Sequence, residues 1–167
     1  MVMPAGPQRG FTYLAVLFAV AISSIVLGGA LAMWSIDERR DREAELLFAG
    51  GQVRQAIASY YEGTPGADKH YPASLNELLA DSRVTPARHH LRRLYADPIT
   101  GAPWALVRGA GGGVMGVYSP SAGAPLKRAN FGESDALFAG KTQYADWKFV
   151  YQTAHNRNEP AVILPWR

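Results

Sequence analysis

The stretch Arg9-Gly10-Phe11-Thr12-Tyr13-Leu14-Ala15-Val16 opens an apolar run that continues to Trp34. Arg9 is the only charged residue before Asp37. As a helix, Phe11–Trp34 is about 36 Å long at about 1.5 Å per residue, against a hydrocarbon core of about 30 Å. The run has no polar face, so it does not read as the half-buried helix of a globular domain. It reads as a membrane-spanning helix. The chain has 167 residues, which leaves enough for one modest globular domain beyond the span.

A secretory signal is the competing reading. Ala19-Val20-Ala21 and Ala30-Leu31-Ala32 both satisfy the A-x-A cleavage pattern. Cleavage at these motifs would leave Ile22 or Met33 as the first mature residue. The run is longer than the apolar stretch of about 7–15 residues that a signal needs.

Arg9-Gly10-Phe11-Thr12, followed by a long uncharged helix, resembles the class III leader of type IV pilin-like proteins, most of all the pseudopilins of type II secretion systems. The resemblance implies that residues 1–10 are a leader and that a prepilin peptidase cuts between Gly10 and Phe11. It implies that Phe11 is then N-methylated as the first mature residue. A glycine has no Cβ, so the backbone can lie closely in a protease site at that point. The resemblance further implies four segments: leader 1–10, transmembrane and assembly half 11–36, amphipathic half 37–62, and a periplasmic globular region 63–167. The sequence departs from the family at the fifth mature position, where glutamate is usual and Ala15 stands here. In the family that carboxylate is thought to pair with the terminal amine of a neighbouring subunit. Its absence points to a minor or tip subunit rather than one that polymerises by itself.

Charge alone would orient the run the other way. Arg39, Arg40 and Arg42 follow it, and the positive-inside rule would put them in the cytoplasm. Asp37, Glu38, Asp41 and Glu43 surround those arginines, but acids count weakly in that rule. The leader resemblance implies a single-pass inner-membrane protein with its N-terminus cytoplasmic and its C-terminal domain periplasmic.

Beyond the run, Asp37–Glu43 reads as a water-facing helical stretch with pairs Glu38–Arg42 and Arg39–Glu43. Leu46, Gly50, Val53, Ile57 and Tyr60 alternate in spacings of four and three, which is one buried stripe. Phe11–Tyr61 then forms one helix of about 76 Å. Gly63-Thr64-Pro65-Gly66 ends it. Ser74-Leu75-Asn76-Glu77 predicts a capping box for a short helix with Leu75, Leu78 and Leu79 inward. Thr85-Pro86 predicts another, with Leu91 and Leu94 as its apolar contacts. Asp97-Pro98-Ile99-Thr100-Gly101 is a turn. Strands are predicted at 104–107, 114–118 and 148–151, with a fourth at 161–164 or a tail there, and Gly109–Gly113 as a hairpin loop. The plan is α+β: a long N-terminal α-helix packed on a small antiparallel β-sheet. Tyr71-Pro72, the leucine-rich short helix, and Asp97-Pro98 with Gly101, Pro103 and Trp104 resemble the globular part of secretion pseudopilins. One more residue separates Pro98 from Gly101 than that pattern has.

The chain has no cysteine, which removes disulfides and thiolate chemistry. His70, His89, His90 and His155 form no i, i+4 pair and no H-E-x-x-H, so metal catalysis has no support. Gly109–Gly113 lacks the lysine and hydroxyl residue of a phosphate loop. Ser119, Ser121 and Ser134 lack the G-x-S-x-G of a hydrolase. The chain therefore does not read as an enzyme. The major pseudopilins bind Ca²⁺ in a late loop, and Glu133, Asp135 and Asp146 are the candidate oxygen ligands here, though solvated surface carboxylates explain them as well. Arg88, His89, His90, Arg92 and Arg93 form a basic cluster that fits the polar face of a short helix. It is also the one place where a DNA-binding minor pilin would show itself. A net charge of +3 is too small to imply nucleic acid by composition. The expected partners are other pilin-like subunits, the prepilin peptidase, an inner-membrane assembly platform and the lipid bilayer. A type IV minor pilin and a membrane-tethered or secreted binding protein that never assembles are the alternatives.

Overall fold

The computed structural model describes the backbone of residues 9–66, 68–153 and 162–163, and the side chains of 13–24, 36–66 and 68–153. Helix α1 is Arg9–Glu62. The chain divides into two compact units, Met1–Arg40 and Asp41–Arg167.

In the first unit the large apolar side chains between Tyr13 and Ile22 are 48% to 68% exposed. The Ser23 and Ser24 hydroxyls donate to the carbonyls of Ala19 and Val20, each at 2.8 Å. Both hydroxyls are therefore satisfied inside the helix and ask nothing of the surroundings, a requirement of any helix in lipid. Asp37 and Arg40 form an exposed pair at 3.9 Å. Such a pair contributes about 0.5 kcal/mol or less. Among the described residues no helix is long and apolar enough to cross a membrane. Half of the span predicted at 11–34, residues 11–12 and 25–34, lies outside the described side chains.

In the second unit the predicted stripe is the core face of α1. Leu46, Gly50, Val53, Ile57 and Tyr60 are all buried, and Ala49 and Ala56 broaden the face. Against it packs an antiparallel sheet of β1 (Ala105–Arg108), β2 (Val114–Tyr118), β3 (Lys148–Val150) and β4 (Val162–Ile163), in the order β3-β2-β1-β4. The strands match the predicted runs to within one or two residues. A bulge at Val107/Arg108 lets Met115 slip out of register, so that Val107 faces Gly116 and Arg108 faces Val114. Val114 and Val117 of β2 join Trp104, Trp147 and Phe149 in one cluster with the α1 stripe. Two glycines are there for closeness. A Cβ on Gly50 would lie 2.4 Å from the Phe149 ring, and one on Gly116 would lie 2.4 Å from the Phe149 carbonyl oxygen. Helix and neighbouring strand can approach Phe149 only where those atoms are missing.

Two local expectations are corrected. The segment after Ser74 is one 3₁₀ turn, Leu75–Leu78, and Ser74 makes no side-chain cap. Glu77, its expected reciprocal partner, instead accepts the Tyr60 hydroxyl at 2.7 Å and the Ala73 N–H at 3.2 Å. No helix follows Thr85-Pro86, whose peptide bond is cis. Asp81 and Arg88 pair their backbones instead, N–H to carbonyl at 2.8 and 3.2 Å, which closes the intervening residues into a loop. Arg88 therefore has no amide left for a helical bond. Leu91 is buried as expected, but Leu94 is 41% exposed.

Candidate functional site

Gly10 and Phe11, the expected processing pair, fall in the first turn of α1. Their side chains lie outside the described residues. Ala15 is exposed on the same helix. The remaining chemistry-bearing residues gather at three places in the second unit.

The first is a clasp along α1. Glu43 belongs to the stretch expected to face water, yet it is 4% exposed. Its carboxylate accepts the backbone N–H groups of Leu126 and Lys127, the latter at 3.0 Å, and the Tyr144 hydroxyl at 2.7 Å. A buried carboxylate survives because three donors replace its water. Eleven residues on, Arg54 donates to the Ser134 carbonyl at 2.8 Å and to Asp135 at 2.9 Å, and it lies over the Phe149 ring. The connection between β2 and β3 is thus held at two points by charged side chains of the helix. Asp135, a candidate calcium ligand, is committed to Arg54. Glu133 and Asp146 are exposed. Among the described residues no three His, Asp or Glu side chains come together as a metal site.

The second is a polar knot at the C-terminal end of α1. Asp81 accepts Arg83 Nε at 2.8 Å and Nη2 at 2.7 Å, and the Arg83 backbone N–H at 3.0 Å. Arg83 stacks 3.5 Å over the Tyr60 ring and also donates to Thr64 Oγ1 and to the Tyr60 carbonyl. His90 Nδ1 lies 2.8 Å from Ser59 Oγ, and its Nε2 lies 3.2 Å from Asp81. Serine, histidine and aspartate are therefore in line, as in a hydrolase. The line lacks the rest of that chemistry. Asp81 is already satisfied by Arg83, and Ser59 sits inside a helix whose nearby amides bond to carbonyls of the previous turn, leaving no donors for an oxyanion. The knot fastens the 81–91 segment to α1. It also divides the basic cluster: His90 turns inward, Arg93 stacks on Tyr95 at 4.9 Å, and Arg88, His89 and Arg92 stay exposed.

These contacts move several ionisation equilibria. The Arg83 hydrogen bonds hold the Asp81 carboxyl well below the usual carboxylate range, against the opposing effect of burial. Burial, with the hydrogen bond to Glu77, pushes the Tyr60 phenol up to about 12. The hydrogen bond to Glu62, with burial, does the same to Tyr151. A carboxyl whose pKa is depressed by folding stabilises the fold above its unfolded value and loses that contribution as pH falls. Asp81→Asn is therefore expected to lower stability by about 3 kcal/mol near neutral pH, as for one broken buried pair. The difference from the wild type should shrink below about pH 4, where unfolded aspartate is protonated. Urea unfolding at pH 7 and pH 3 checks this; equal differences at both would contradict it.

The third is the Asp97 turn. Asp97 is fully buried, accepts the Ile99 N–H at 3.0 Å, and takes the hydroxyls of Thr100 at 2.5 Å and Ser119 at 2.7 Å. Trp104 Nε1 donates to the Tyr95 carbonyl at 2.8 Å. This turn joins the ends of β1 and β2 and presents no open functional group.

Sequence reasoning missed Glu43, Arg54, Asp81, Arg83 and His90 as a set. Glu43 had a signal: the four-three alternation of the stripe, run backward from Leu46, lands on it. Asp81 and Arg83 are two positions apart, but the contacts that tie Arg83 and His90 to α1, and Arg54 to the β2–β3 connection, span 19 to 81 positions. No spacing rule finds those. No protein-family model, curated protein or solved structure matches the chain.

Proposed function

We propose that this chain is an assembly subunit of the type IV pilin-like family, a pseudopilin of a type II secretion system. It is inserted in the inner membrane, trimmed after Gly10, N-methylated at Phe11, and drawn into a short periplasmic pseudopilus that supports protein export. The observation that carries this reading is Arg9-Gly10-Phe11-Thr12 directly ahead of an uncharged run. The run begins a helix whose later turns bear the core stripe of a small α+β unit. That is the element order a pilin-like subunit needs.

In this reading the apolar helix packs against lipid before assembly and against neighbouring helices after it. The globular unit supplies surface and partner specificity. Export is driven by an ATPase elsewhere in the machine. Ala15 offers no carboxylate to a neighbour's amine, which fits a subunit that starts or caps a filament better than one that repeats along it. A type IV minor pilin is the same reading in a different machine, and Arg88, Arg92 and Arg93 are where it would bind DNA.

A second reading is a tethered or secreted binding protein that never assembles. Ala15 and the two A-x-A motifs favour it. The N-terminus of the mature protein, made beside a prepilin peptidase, separates the two. N-methyl-Phe11 supports the assembly subunit. Ile22 or Met33 indicates a secreted protein, and an intact Met1 indicates a plain anchor.

A further inference from the structure

We propose that the cleft between α1 and residues 93–98 is the seat of the chain's own Trp166 and Arg167, an inference that stands apart from the function proposed above. The cleft has a volume of about 320 Å³ and is lined by Glu45 of α1 and by Arg93, Leu94, Tyr95 and Gly101. Its apolar wall is a joined set. The Phe48 and Tyr95 rings meet edge to face at 6.2 Å between centroids, and Arg93 stacks over Tyr95 at 4.9 Å. Phe48 is 58% exposed and Leu94 is 41% exposed. The backbone beneath is fixed. The Tyr95 carbonyl accepts the Trp104 Nε1–H at 2.8 Å, and the Asp97 N–H donates to the Ala102 carbonyl at 2.9 Å. Glu45 is the open acid here. It is exposed and forms no salt bridge among the described residues, whereas Asp97 is buried and spent on Ile99, Thr100 and Ser119. A fixed aromatic wall beside one unspent carboxylate suits an aromatic side chain with a cation next to it.

The sheet directs the chain toward this cleft. β4 is an outer strand and pairs with β1 antiparallel, Ile163 opposite Val107 and Val162 opposite Arg108. Leu164-Pro165-Trp166-Arg167 follows and lies outside the described residues. Continued in the same register, Leu164 falls opposite Leu106, Pro165 opposite Ala105, and Trp166 opposite Trp104, the residue bonded to Tyr95. Pro165 is compatible with that path. The Tyr151 N–H bonds the Met115 carbonyl at 3.0 Å, so by antiparallel alternation Gly116 and Tyr118 turn their N–H and C=O groups toward β1. Their partners Val107 and Ala105 turn toward β2, which leaves Leu106 to bond toward β4. A proline opposite Ala105 therefore faces its nitrogen away from β1 and forfeits no ladder bond.

The α1 wall stands on the same side. Glu45 and Arg54 are nine residues apart, about two and a half turns, so they occupy opposite flanks of the helix. Arg54 lies over Phe149 of β3, and β3 and β4 are the two outer strands of the sheet. Glu45 is thus on the β4 flank. In this register Trp166 shares a sheet face with Trp104, which belongs to the cluster that packs on α1. The Trp166 ring would lie beside Tyr95 and Leu94. Arg167, past the end of the ladder, would pair with Glu45. Docked in this way, the two residues close the exposed Phe48–Tyr95 wall and hold β4 to the edge of β1.

The test uses the full chain in mild detergent, which has no cysteine of its own. Leu94→Cys reports on the cleft. Gly51→Cys, where nothing lies within 4 Å of a Cβ, is the control on α1. Alkylation by N-ethylmaleimide at neutral pH is followed by mass. The expected result is slow labelling of Leu94→Cys, about tenfold faster once Trp166→Ala is added, with Gly51→Cys unchanged. Arg167→Glu and Glu45→Arg should each speed labelling of Leu94→Cys about threefold, and the two together should bring back the slow rate. Equal rates with tryptophan and with alanine at position 166, in a folded chain, overturn the proposal. Charge changes that add instead of cancelling also overturn it. So does protection that grows with protein concentration, which assigns the cleft to another copy. If Trp166→Ala unfolds the unit, Gly51→Cys speeds up as well, and the charge exchange then decides alone.

Discussion

Replacing Gly50 by valine is expected to destabilise the 41–167 unit by about 3 kcal/mol, the upper end of ordinary overpacking. A Cβ at this position falls 2.4–2.5 Å from three atoms of the Phe149 ring. That ring cannot retreat easily. It is fully buried, with Trp104 at 6.1 Å and Phe138 at 5.0 Å between centroids. Helix propensity acts in the other direction, since glycine is among the poorest interior residues. The sign of the change therefore decides between packing and propensity. Gly51 supplies the control. Nothing lies within 4 Å of a Cβ built there. Gly51→Ala is expected to stabilise by about 0.5–1 kcal/mol, from helix propensity alone. Urea unfolding of the full chain in mild detergent measures both. Equal effects at the two positions would contradict the account of how α1 meets the sheet.

Glu43→Ala is expected to cost about 3 kcal/mol, because it removes charge-assisted bonds and takes the acceptor from one buried and two part-buried donors. Two amides and the Tyr144 hydroxyl lose their acceptor together. The loss should be local before it is global. Hydrogen exchange is expected to rise at Leu126, Lys127 and the 143–147 turn, while the amides of β1 and β2 keep their protection up to the global limit. Glu43→Gln retains shape and one acceptor oxygen, so it should recover part of the loss. Unchanged exchange at Leu126 and Lys127 in the alanine variant would mean that the clasp is not what holds the connection.

The parts of the fold that were legible in the sequence are those with a period. The stripe from Leu46 to Tyr60 is set by helical repeat, and all five of its positions are buried. The β2 strand, Val114–Tyr118, has the β-formers Val114, Val117 and Tyr118 between glycines and Ser-Pro, and its bounds were predictable to the residue. What failed was competition between local and distant partners. Ser74 and Glu77 spell a capping box, but Tyr60 offers Glu77 a hydroxyl from another element. Thr85-Pro86 looks like a helix start, but Asp81 claims the Arg88 amide. Glu43 looked solvated because its neighbours Asp41 and Arg42 are. Its donors come from residues 83 to 101 positions later. The contacts of Arg83 and His90 with Ser59, Tyr60 and Thr64 were invisible for the same reason. The processing pair is the opposite case. Gly10-Phe11 is a sequence motif through and through, and its recognition depends on the order of residues more than on any packed geometry.

The mature N-terminus therefore tests the central claim most directly. The full chain, produced with and without a prepilin peptidase, is taken to intact-mass and N-terminal peptide analysis, beside a Gly10→Val variant. The account predicts one species beginning at N-methylated Phe11, dependent on the peptidase and lost in Gly10→Val, which should retain residues 1–10. A wild-type chain that begins at Ile22 or Met33, or that keeps Met1 whether or not the peptidase is present, would contradict it.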